Sequence, residues 1–336
     1  MRAIVDHADF QAQAIRPNAL LAKYRELVEV DVAKYLVPAA QESQDSCPAC
    51  GSSRSEQAFA RFGLSYRHCT DCGSLWVAPR PDETALRRYY RESEAERFWQ
   101  DELARQTGPV RIAKVIEPRL DWIADAVAEH RPQGVSIADV GTHLSAFARR
   151  FAQLKPFARH LAVEPITHLP DVAGLEVIDQ PLEEAGLSGE LDAVTLLDVA
   201  DRTSGPDSLV AAVHAALKPG GLLFLTGILA SGFDIQVLWD RAETVFPPDR
   251  LNLFSVSGLE ALLKRRGFEV IEFSTPGAFD LRTVAQAREV QPDLPLPRFV
   301  ETLLSRRGEA EYAQFQTFLQ ASLLSSFGRV VARRLL

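Results

Sequence analysis

The chain has 336 residues, 46% of them hydrophobic, which is enough for one large domain with one or two smaller ones and a buried core. Its 45 acidic and 37 basic residues give a net charge of -8, which excludes a general electrostatic surface for nucleic acid or anionic membranes. Asp6 and Asp9 interrupt the N-terminal stretch where a secretory signal is apolar, and the uncharged run from Pro219 to Phe233 is shorter than the roughly 18 residues of a membrane span. We therefore expect a cytoplasmic protein with no nucleic-acid or membrane partner.

Residues 1–45 are predicted to form an N-terminal helical segment. In "NALLAKYRELVEVDVAKYL" the apolar residues recur at helical spacing, and Asn18 is positioned as the N-terminal cap. The apolar face predicts packing against a neighbouring domain.

The four cysteines form two Cys-x-x-Cys pairs, "CPACG" at Cys47 and Cys50 and "CTDCG" at Cys69 and Cys72. Each pair can direct two thiolates at one point, and two such pairs give the closed tetrahedral site typical of structural Zn²⁺. Disulfides or redox pairs are the alternative, which a chain without a secretory signal disfavours. Short strands in "FARFGLSYRHC" and "SLWVAPRP" complete a predicted zinc ribbon over residues 46–80.

Residues 81–133 are predicted to form a helical linker or lid. Asp82 can cap the charged helix "ETALRRYYRESEAERFW". The helix carries four aromatic residues, Tyr89, Tyr90, Phe98 and Trp99. Packing in a core or an interface is their favoured use, and a lid over a ligand is the alternative.

From residue 134 to 336 strands alternate with helices, which is typical of a parallel, doubly wound sheet. Strands are predicted in "VSIADVG", "HLAVEP", "LEVID", "LDAVTLLDVA", "LLFLTG" and "FEVIEFS", and "GRVVARRLL" is a candidate seventh strand. Helices are predicted in "SAFARRFAQL", "PDSLVAAVHAALKPGG" and "SVSGLEALLKRRG". Ser255 or Ser257 caps the last of these and Gly267 ends it. A mainly helical insertion is expected near residues 275–326.

Polar residues follow the strands at the edge of the sheet where ligands bind in open folds. Gly141 ends the first strand, Glu164 ends the second, Asp179 follows the third, and Asp198 and Asp201 follow the fourth. A carboxylate at the end of the second strand can accept hydrogen bonds from both hydroxyls of an adenosine ribose. Such carboxylates are also common without a ligand, so Glu164 alone leaves both interpretations open.

Two stretches carry the most specific signal, "LDAVTLLDVADRTSGPDSLVAAVHAALKPGGLLFLTG" and "DRLNLFSVSGLEALLKRRGFEVIEFS". They resemble the fourth strand, helix and "LKPGG" turn, and then the helix and "GFEV" strand, of the class I S-adenosylmethionine-dependent methyltransferases. With its two cysteine pairs the chain resembles bacterial members that have an N-terminal zinc ribbon. The resemblance implies an α/β fold with a Rossmann-like, doubly wound sheet of seven strands, the last one antiparallel beside the sixth. It also implies that S-adenosylmethionine places its methionine part at the Gly141 loop, its ribose on Glu164 and its adenine near Asp179 and Gln180.

The cofactor loop departs from the pattern of that family. Where the family usually reads Asp-x-Gly-x-Gly-x-Gly, this chain has Asp139, Gly141, His143 and Ser145. Each added side chain removes space beside the ligand or imposes backbone strain. His143 is either a general base for a hydroxyl or amine substrate, or a structural residue that fills the vacated space or caps the next helix. We favour the structural role, because a base needs a substrate pose that the sequence does not provide.

The loop after the fourth strand also differs from the family. Asp201 and Arg202 stand where Glu-His is common, and Asp198 with Asp201 resembles the metal-binding acids of some quinone-pathway O-methyltransferases. The histidine of that metal site is absent, so no second metal is predicted. We expect Asp198 to contact the cofactor and Asp201 to be catalytic. Arg202 and Arg250 can form a fork for a phosphate or carboxylate of the substrate, although arginines are usually solvated.

These observations predict methyl transfer from S-adenosylmethionine to O, N or C of a small molecule, such as a sugar or another specialised metabolite. The alternative is a methyltransferase-like pseudoenzyme that binds or scaffolds a protein partner. The degenerate glycine loop keeps this second hypothesis open.

Overall fold

The computed structural model of the chain describes residues 12–166, 169 and 171–335. Helix α1 spans Asn18–Asp31 and continues in π-helical geometry over Val32–Leu36. Five short strands follow, β1 (Ala40–Glu42), β2 (Ser55–Arg61), β3 (Leu64–Cys69), β4 (Leu75–Val77) and β5 (Arg80–Pro81). Strands β2, β3 and β4 lie where the short strands of the ribbon were expected.

Helices dominate residues 83–130. They are α2 (Glu83–Glu92), α3 (Glu94–Phe98), α4 (Arg105–Arg111) and α5 (Glu117–His130), joined by π-helical turns at Trp99–Ala104 and Ile112–Ile116. Asp82 caps α2, as expected, by accepting a hydrogen bond from the Ala85 N–H at 2.7 Å. The single helix expected here is interrupted at Ser93, because Ser93 is extended and its side chain caps α3.

The C-terminal region alternates strands and helices. Its first part contains β6 (Ser136–Val140), α6 (Ser145–Phe151), β7 (Arg159–Val163), β8 (Leu175–Ile178), β9 (Leu191–Leu197), α7 (Pro206–Ala216) and β10 (Leu217–Ile228). Its second part contains α8 (Phe233–Leu238), β11 (Asn252–Leu253), α9 (Val256–Arg265), β12 (Phe268–Ser274), α10 (Asp280–Val290), α11 (Arg298–Arg306), α12 (Glu309–Ala321) and β13 (Phe327–Arg334). Within the described ranges, none of the helices combines the length and the apolar character needed to cross a membrane.

Seven of these strands form the main sheet, in the order β12-β13-β10-β9-β6-β7-β8. Strands β10, β9, β6, β7 and β8 are parallel, and β13 is antiparallel to both of its neighbours. Every residue of β6 is buried, including the polar Ser136 and Asp139, because helices cover both faces of such a sheet. The predicted Rossmann-like fold with an antiparallel last strand beside the sixth is confirmed.

Two further local predictions were wrong. Asn18 is the first residue of α1 and makes no cap, since the helix starts after the extended Pro17 and the Asn18 side chain accepts a hydrogen bond from Gln286 instead. Helix α7 ends at Ala216, before the "LKPGG" turn that was expected to finish it. Leu217 is buried and extended and pairs with Leu191, so packing against β9 outweighs the helical preference of these residues.

The ribbon strands are joined to the C-terminal region by a shared sheet. Strand β11 pairs with β4, giving a second sheet in the order β11-β4-β3-β2. Trp76 of β4 lies opposite Asn252 of β11 and belongs to the same buried cluster as Leu259 of α9. The predicted boundaries at residues 45, 80 and 133 stay predictions, but β11 extends the ribbon sheet beyond residue 80.

We expect Trp76→Ala to lower the free energy of unfolding by about 3 to 5 kcal/mol, the usual cost of truncating a buried aromatic residue. Trp76 is completely buried between the ribbon and the main sheet. Urea denaturation measures the change, with Val177→Ala as control because Val177 is 51% exposed. A loss below about 1 kcal/mol, typical of surface sites, would show that the two regions do not share a core.

Candidate functional site

The four cysteine side chains converge at one point. Their Sγ atoms all lie within 4.8 Å of one another. Cys47 Sγ is 3.7 Å from Cys72 Sγ, and Cys50 Sγ is 3.6 Å from Cys69 Sγ. A disulfide needs about 2.05 Å, whereas Zn–S bonds of about 2.3 Å in a tetrahedron place two sulfurs about 3.8 Å apart. The spacing therefore fits four thiolates around one tetrahedral metal ion.

The two cysteine turns have the same backbone geometry. The Cys47 N–H donates to the Ser52 carbonyl at 2.8 Å, and the Gly51 N–H donates to the Cys47 carbonyl at 2.9 Å. The turn that begins at Cys69 repeats both bonds at 2.9 Å. Gly51 and Gly73 have φ angles of 82° and 76°, which glycine adopts without the steric cost of a Cβ. Each glycine thus lets the chain fold back so that both thiols of its pair face the same point.

Asp139, near the end of β6, is hydrogen-bonded to the loop that follows the strand. Its carboxylate accepts hydrogen bonds from Thr142 Oγ1 at 2.6 Å and from Thr195 Oγ1 at 2.5 Å. The residue is 3% exposed, and this burial raises the pKa of its carboxyl to about 6. Asp139 therefore shapes the cofactor loop from the protein interior, and its predicted contact with a cofactor stays a prediction.

The turn directly after β6 requires a glycine at position 141. Its φ is 71°, and a Cβ at this position would lie 3.1 Å from Val199 Cγ2. Ser145 begins α6 and lines a cavity of about 200 Å³ together with Gln100 and Arg111. The loop therefore keeps its tight turn and an adjoining space although it has one glycine.

Glu164 and Asp179, predicted to bind adenosine, lie beside helix α2. Glu164 Oε1 is 3.0 Å from Arg87 Nε, and Asp179 Oδ1 is 3.3 Å from Arg91 Nη2. The Glu164 side chain is 30% exposed, and its partial burial raises the pKa of the carboxyl to about 7, against the opposing effect of Arg87. Gln180, the third predicted adenosine residue, is exposed. The structure thus brings α2 to the same edge of the sheet as the expected cofactor acids.

His143 is held by the helical residues that follow Ser93. Its Nε2 lies 2.5 Å from Glu96 Oε1, and its carbonyl accepts a hydrogen bond from Gln100 Nε2 at 3.1 Å. The ring of Trp99 is nearly parallel to the imidazole, at 7°, with a centroid distance of 5.9 Å. On the other side of the imidazole, Arg202 Nη1 is 3.4 Å from Nδ1. His143 therefore has a defined orientation within the cofactor loop.

Asp198 is paired with a residue of α5. Arg119 Nη2 lies 2.8 Å from its Oδ2, and Thr226 Oγ1 donates to Oδ1 at 3.2 Å. Burial by itself would raise the pKa of Asp198, but the charges of Arg119, Arg250 and Arg202 together lower it below its ordinary value. Asp198 thus stays ionised at the expected cofactor edge.

Asp201 lies deeper, with its side chain 1% exposed. Its Oδ2 accepts the Ile228 N–H at 3.0 Å and lies 3.6 Å from Arg250 Nε, and burial raises the pKa of the carboxyl to about 7. The expectation that Arg202 and Arg250 are solvated was wrong, because their side chains are only 13% and 11% exposed. Arg202 faces Asp249 at 3.6 Å, so both arginines lie in a charged interior.

Sequence patterns did not identify Glu96, Arg87 or Arg119 as parts of this site. Each of them contacts a residue far away in the sequence, at 2.5 to 3.0 Å. The charged residues of a helix face do not indicate in the sequence which distant residue will be their partner. Trp99 was assigned to core or interface packing, with a lid as the alternative. Its stacking on His143 places it against the cofactor loop.

We expect Asp139→Asn to make stability less dependent on pH. A carboxyl whose pKa is raised by folding from 3.8 to about 6 stays protonated in the folded state while the unfolded chain ionises, so stability is lost as pH rises through that window. Asparagine resembles the protonated form, so the variant should match the wild type near pH 4 and exceed its unfolding free energy by about 3 kcal/mol near pH 8.

Chemical denaturation at both pH values measures this difference. Asp293→Asn is the control, because Asp293 is exposed. Equal unfolding free energies of Asp139→Asn and the wild type near pH 8 would show that ionising the buried Asp139 carboxyl does not destabilise the folded state.

The chain was compared with proteins of known sequence and structure. It is 28% identical over 144 residues to a ubiquinone biosynthesis O-methyltransferase of Xanthomonas axonopodis pv. citri, covering 39% of this chain and 56% of the relative. The corresponding protein of Xanthomonas campestris pv. campestris (strain B100) is 28% identical over 165 residues, or 44% of this chain and 65% of the relative. The chain thus spans between half and two thirds of the length of the curated relatives that it matches.

Solved structures of methyltransferases match part of the chain. An S-adenosylmethionine-dependent methyltransferase of Mesorhizobium loti has a TM-score of 0.40 and 18% identity, covering 64% of this chain and 100% of that one. A phosphoethanolamine N-methyltransferase of Haemonchus contortus has a TM-score of 0.39 and 17% identity, covering 64% of this chain and 53% of that one.

The model of a methyltransferase-domain family matches residues 94–273, which is more than half of the chain. The seven-stranded sheet agrees with this match, and the chain therefore belongs to the class I S-adenosylmethionine-dependent methyltransferase family.

Proposed function

We propose that the protein transfers a methyl group from S-adenosylmethionine to a small molecule. The observation that carries this proposal is the placement of the Gly141 turn and the Glu164 carboxylate at the carboxyl ends of the adjacent parallel strands β6 and β7. This is the edge at which open α/β sheets bind nucleotide-like ligands. The curated relatives are named O-methyltransferases, which favours oxygen over nitrogen or carbon as the acceptor atom.

The residues present fit the cofactor. Glu164 is partly exposed and can accept the two ribose hydroxyls. The cavity beside Ser145 adjoins the loop proposed for the methionine part. S-adenosylmethionine would supply an activated methyl group on its sulfonium, so the protein has mainly to position the acceptor, exclude water and manage one proton.

The proposed roles differ among the polar residues of the site. His143 is the proposed general base, since it lies in the cofactor loop with a fixed orientation. Asp201 was expected to be catalytic, and its burial supports a positioning role through Arg250. Asp198, Asp179 and Gln180 remain proposed cofactor contacts, with Asp198 held by Arg119.

We also propose that Cys47, Cys50, Cys69 and Cys72 bind one structural Zn²⁺. Four sulfur ligands leave no coordination position for a substrate or water, so the metal would stabilise the ribbon and take no part in the reaction. The side chain of Ser255, which caps α9, donates a hydrogen bond to the Cys72 carbonyl. The turn that contains Cys69 and Cys72 is therefore hydrogen-bonded to the start of that helix.

We expect S-adenosylhomocysteine to bind the wild type and Glu164→Ala to weaken this binding by about 1.5 to 3 kcal/mol, the usual worth of hydrogen bonds to a charged group. Isothermal titration calorimetry gives both affinities. Glu176→Ala is the control, since Glu176 is an exposed carboxylate on β8 that pairs with Arg159. Unchanged affinity in folded Glu164→Ala would contradict the ribose assignment, and no binding to the wild type would favour the pseudoenzyme.

We expect about one zinc per chain in protein purified without chelators, because the cysteines form a closed tetrathiolate site. Cys47→Ser should lose the metal and lower the melting temperature. Ser52→Ala should keep it, because the Ser52 side chain faces Asp71 and not the thiols. Metal analysis decides the question, and a natively folded wild type without zinc would contradict the assignment.

A further inference from the structure

Three residues from neighbouring helical turns contact His143. Glu96, Trp99 and Gln100 lie on the same face of residues 94–104, and each contacts His143. Gln100 Nε2 also donates to Glu96 Oε1 at 3.0 Å, so the carboxylate itself is held in place. The Glu96 side chain is 5% exposed. A buried carboxylate has a high desolvation cost, and its hydrogen bonds with His143 and Gln100 offset part of it.

The neighbours of the imidazole determine which nitrogen carries the proton. A carboxylate accepts hydrogen bonds and donates none, and Glu96 Oε1 lies 2.5 Å from Nε2. Arg202 lies at Nδ1, and a guanidinium can only donate. Both contacts are therefore satisfied by the same neutral tautomer, with the proton on Nε2 and the lone pair on Nδ1.

The lone pair on Nδ1 faces the carboxyl end of β9. Arg202 lies in the loop that follows that strand, and its guanidinium lies between His143 Nδ1, at 3.4 Å, and Asp249 Oδ1, at 3.6 Å. Both distances are long for charged hydrogen bonds, which usually measure about 2.7 to 2.9 Å. Arg202 is thus loosely held between two acceptors, and it can stay on Asp249 when another donor approaches Nδ1.

We propose that Glu96 is a positioning residue that fixes His143 as the base for an acceptor with a proton to lose, a hydroxyl such as a phenol. This proposal rests on the proposed methyl transfer. The acceptor O–H proton moves to His143 Nδ1, the acceptor oxygen bonds to the methyl carbon, and the methyl–sulfur bond breaks with its electron pair remaining on sulfur. Arg202 lies beside the oxygen as it gains negative charge.

The tautomer can be measured without knowing the natural acceptor. Nitrogen NMR of histidine-labelled protein, with His143 assigned from His143→Ala, should show the neutral ring protonated on Nε2. In Glu96→Gln the side-chain amide can donate as well as accept, so the fraction of that tautomer should fall at least twofold. Glu102→Gln is the matched control on the same helical segment, because Glu102 is paired with Arg105 away from His143.

Small probes test the acceptor class in protein saturated with S-adenosylhomocysteine. Phenol can donate a proton to Nδ1 and should shift its resonance, whereas anisole has the same ring without the hydroxyl and should not. A wild-type ring protonated on Nδ1, a tautomer unchanged in Glu96→Gln, or equal effects of phenol and anisole would each overturn the proposal. Calorimetry with S-adenosylhomocysteine tests the methyltransferase function separately, so failure of that function is distinguished from failure of the Glu96 assignment.

Discussion

The packing of the cysteine-containing strands against the C-terminal region fixes the position of the helices that reach the cofactor edge. The guanidinium of Arg80, at the end of the ribbon, is buried and donates to Asn252 Oδ1 at 2.6 Å. Helix α2 starts at Glu83 directly after the Asp82 cap, so little flexible chain separates this anchor from the helix. Because the anchor and the cap directly precede α2, they set the start of the helix, and α2 and α3 lie where Arg87 reaches Glu164 and Glu96 reaches His143.

The acidic side chains at the cofactor edge of the sheet lie beside basic residues, and these pairs differ in how deeply they are buried. Glu164 and Arg87 are both partly solvated, and such exposed pairs contribute only about 0 to 1 kcal/mol. Ribose hydroxyls can therefore replace Arg87 at Glu164 at little cost. Glu96 with His143 is more deeply buried, and loss of one partner there leaves a buried polar group without compensation. The solvated pair includes the residue proposed to bind the ribose, and the buried pair includes the residue proposed as the base.

Features that depend on neighbours in sequence were predicted well. The cysteine turns, the Asp82 cap, the Ser255 cap of α9 and the strands of the sheet each need only a few adjacent residues, and the structure contains all of them. The break at Ser93 came from a local cap, but other errors arose where a distant contact outweighed a local preference. Leu217 joined β10 because it packs on β9, and Arg202 and Arg250 were buried by acids that lie far away in the sequence.

Local chemistry along the chain was enough to predict the cysteine cluster, the sheet and the loop that contains His143, because periodicity, turn residues and cysteine spacing act over short distances. The orientation of the His143 imidazole depended on Glu96 and Arg202, which lie 47 and 59 positions away from it. A side chain's tautomer and charge are set by whichever groups fold against it, and only the three-dimensional packing brings those groups within hydrogen-bonding distance.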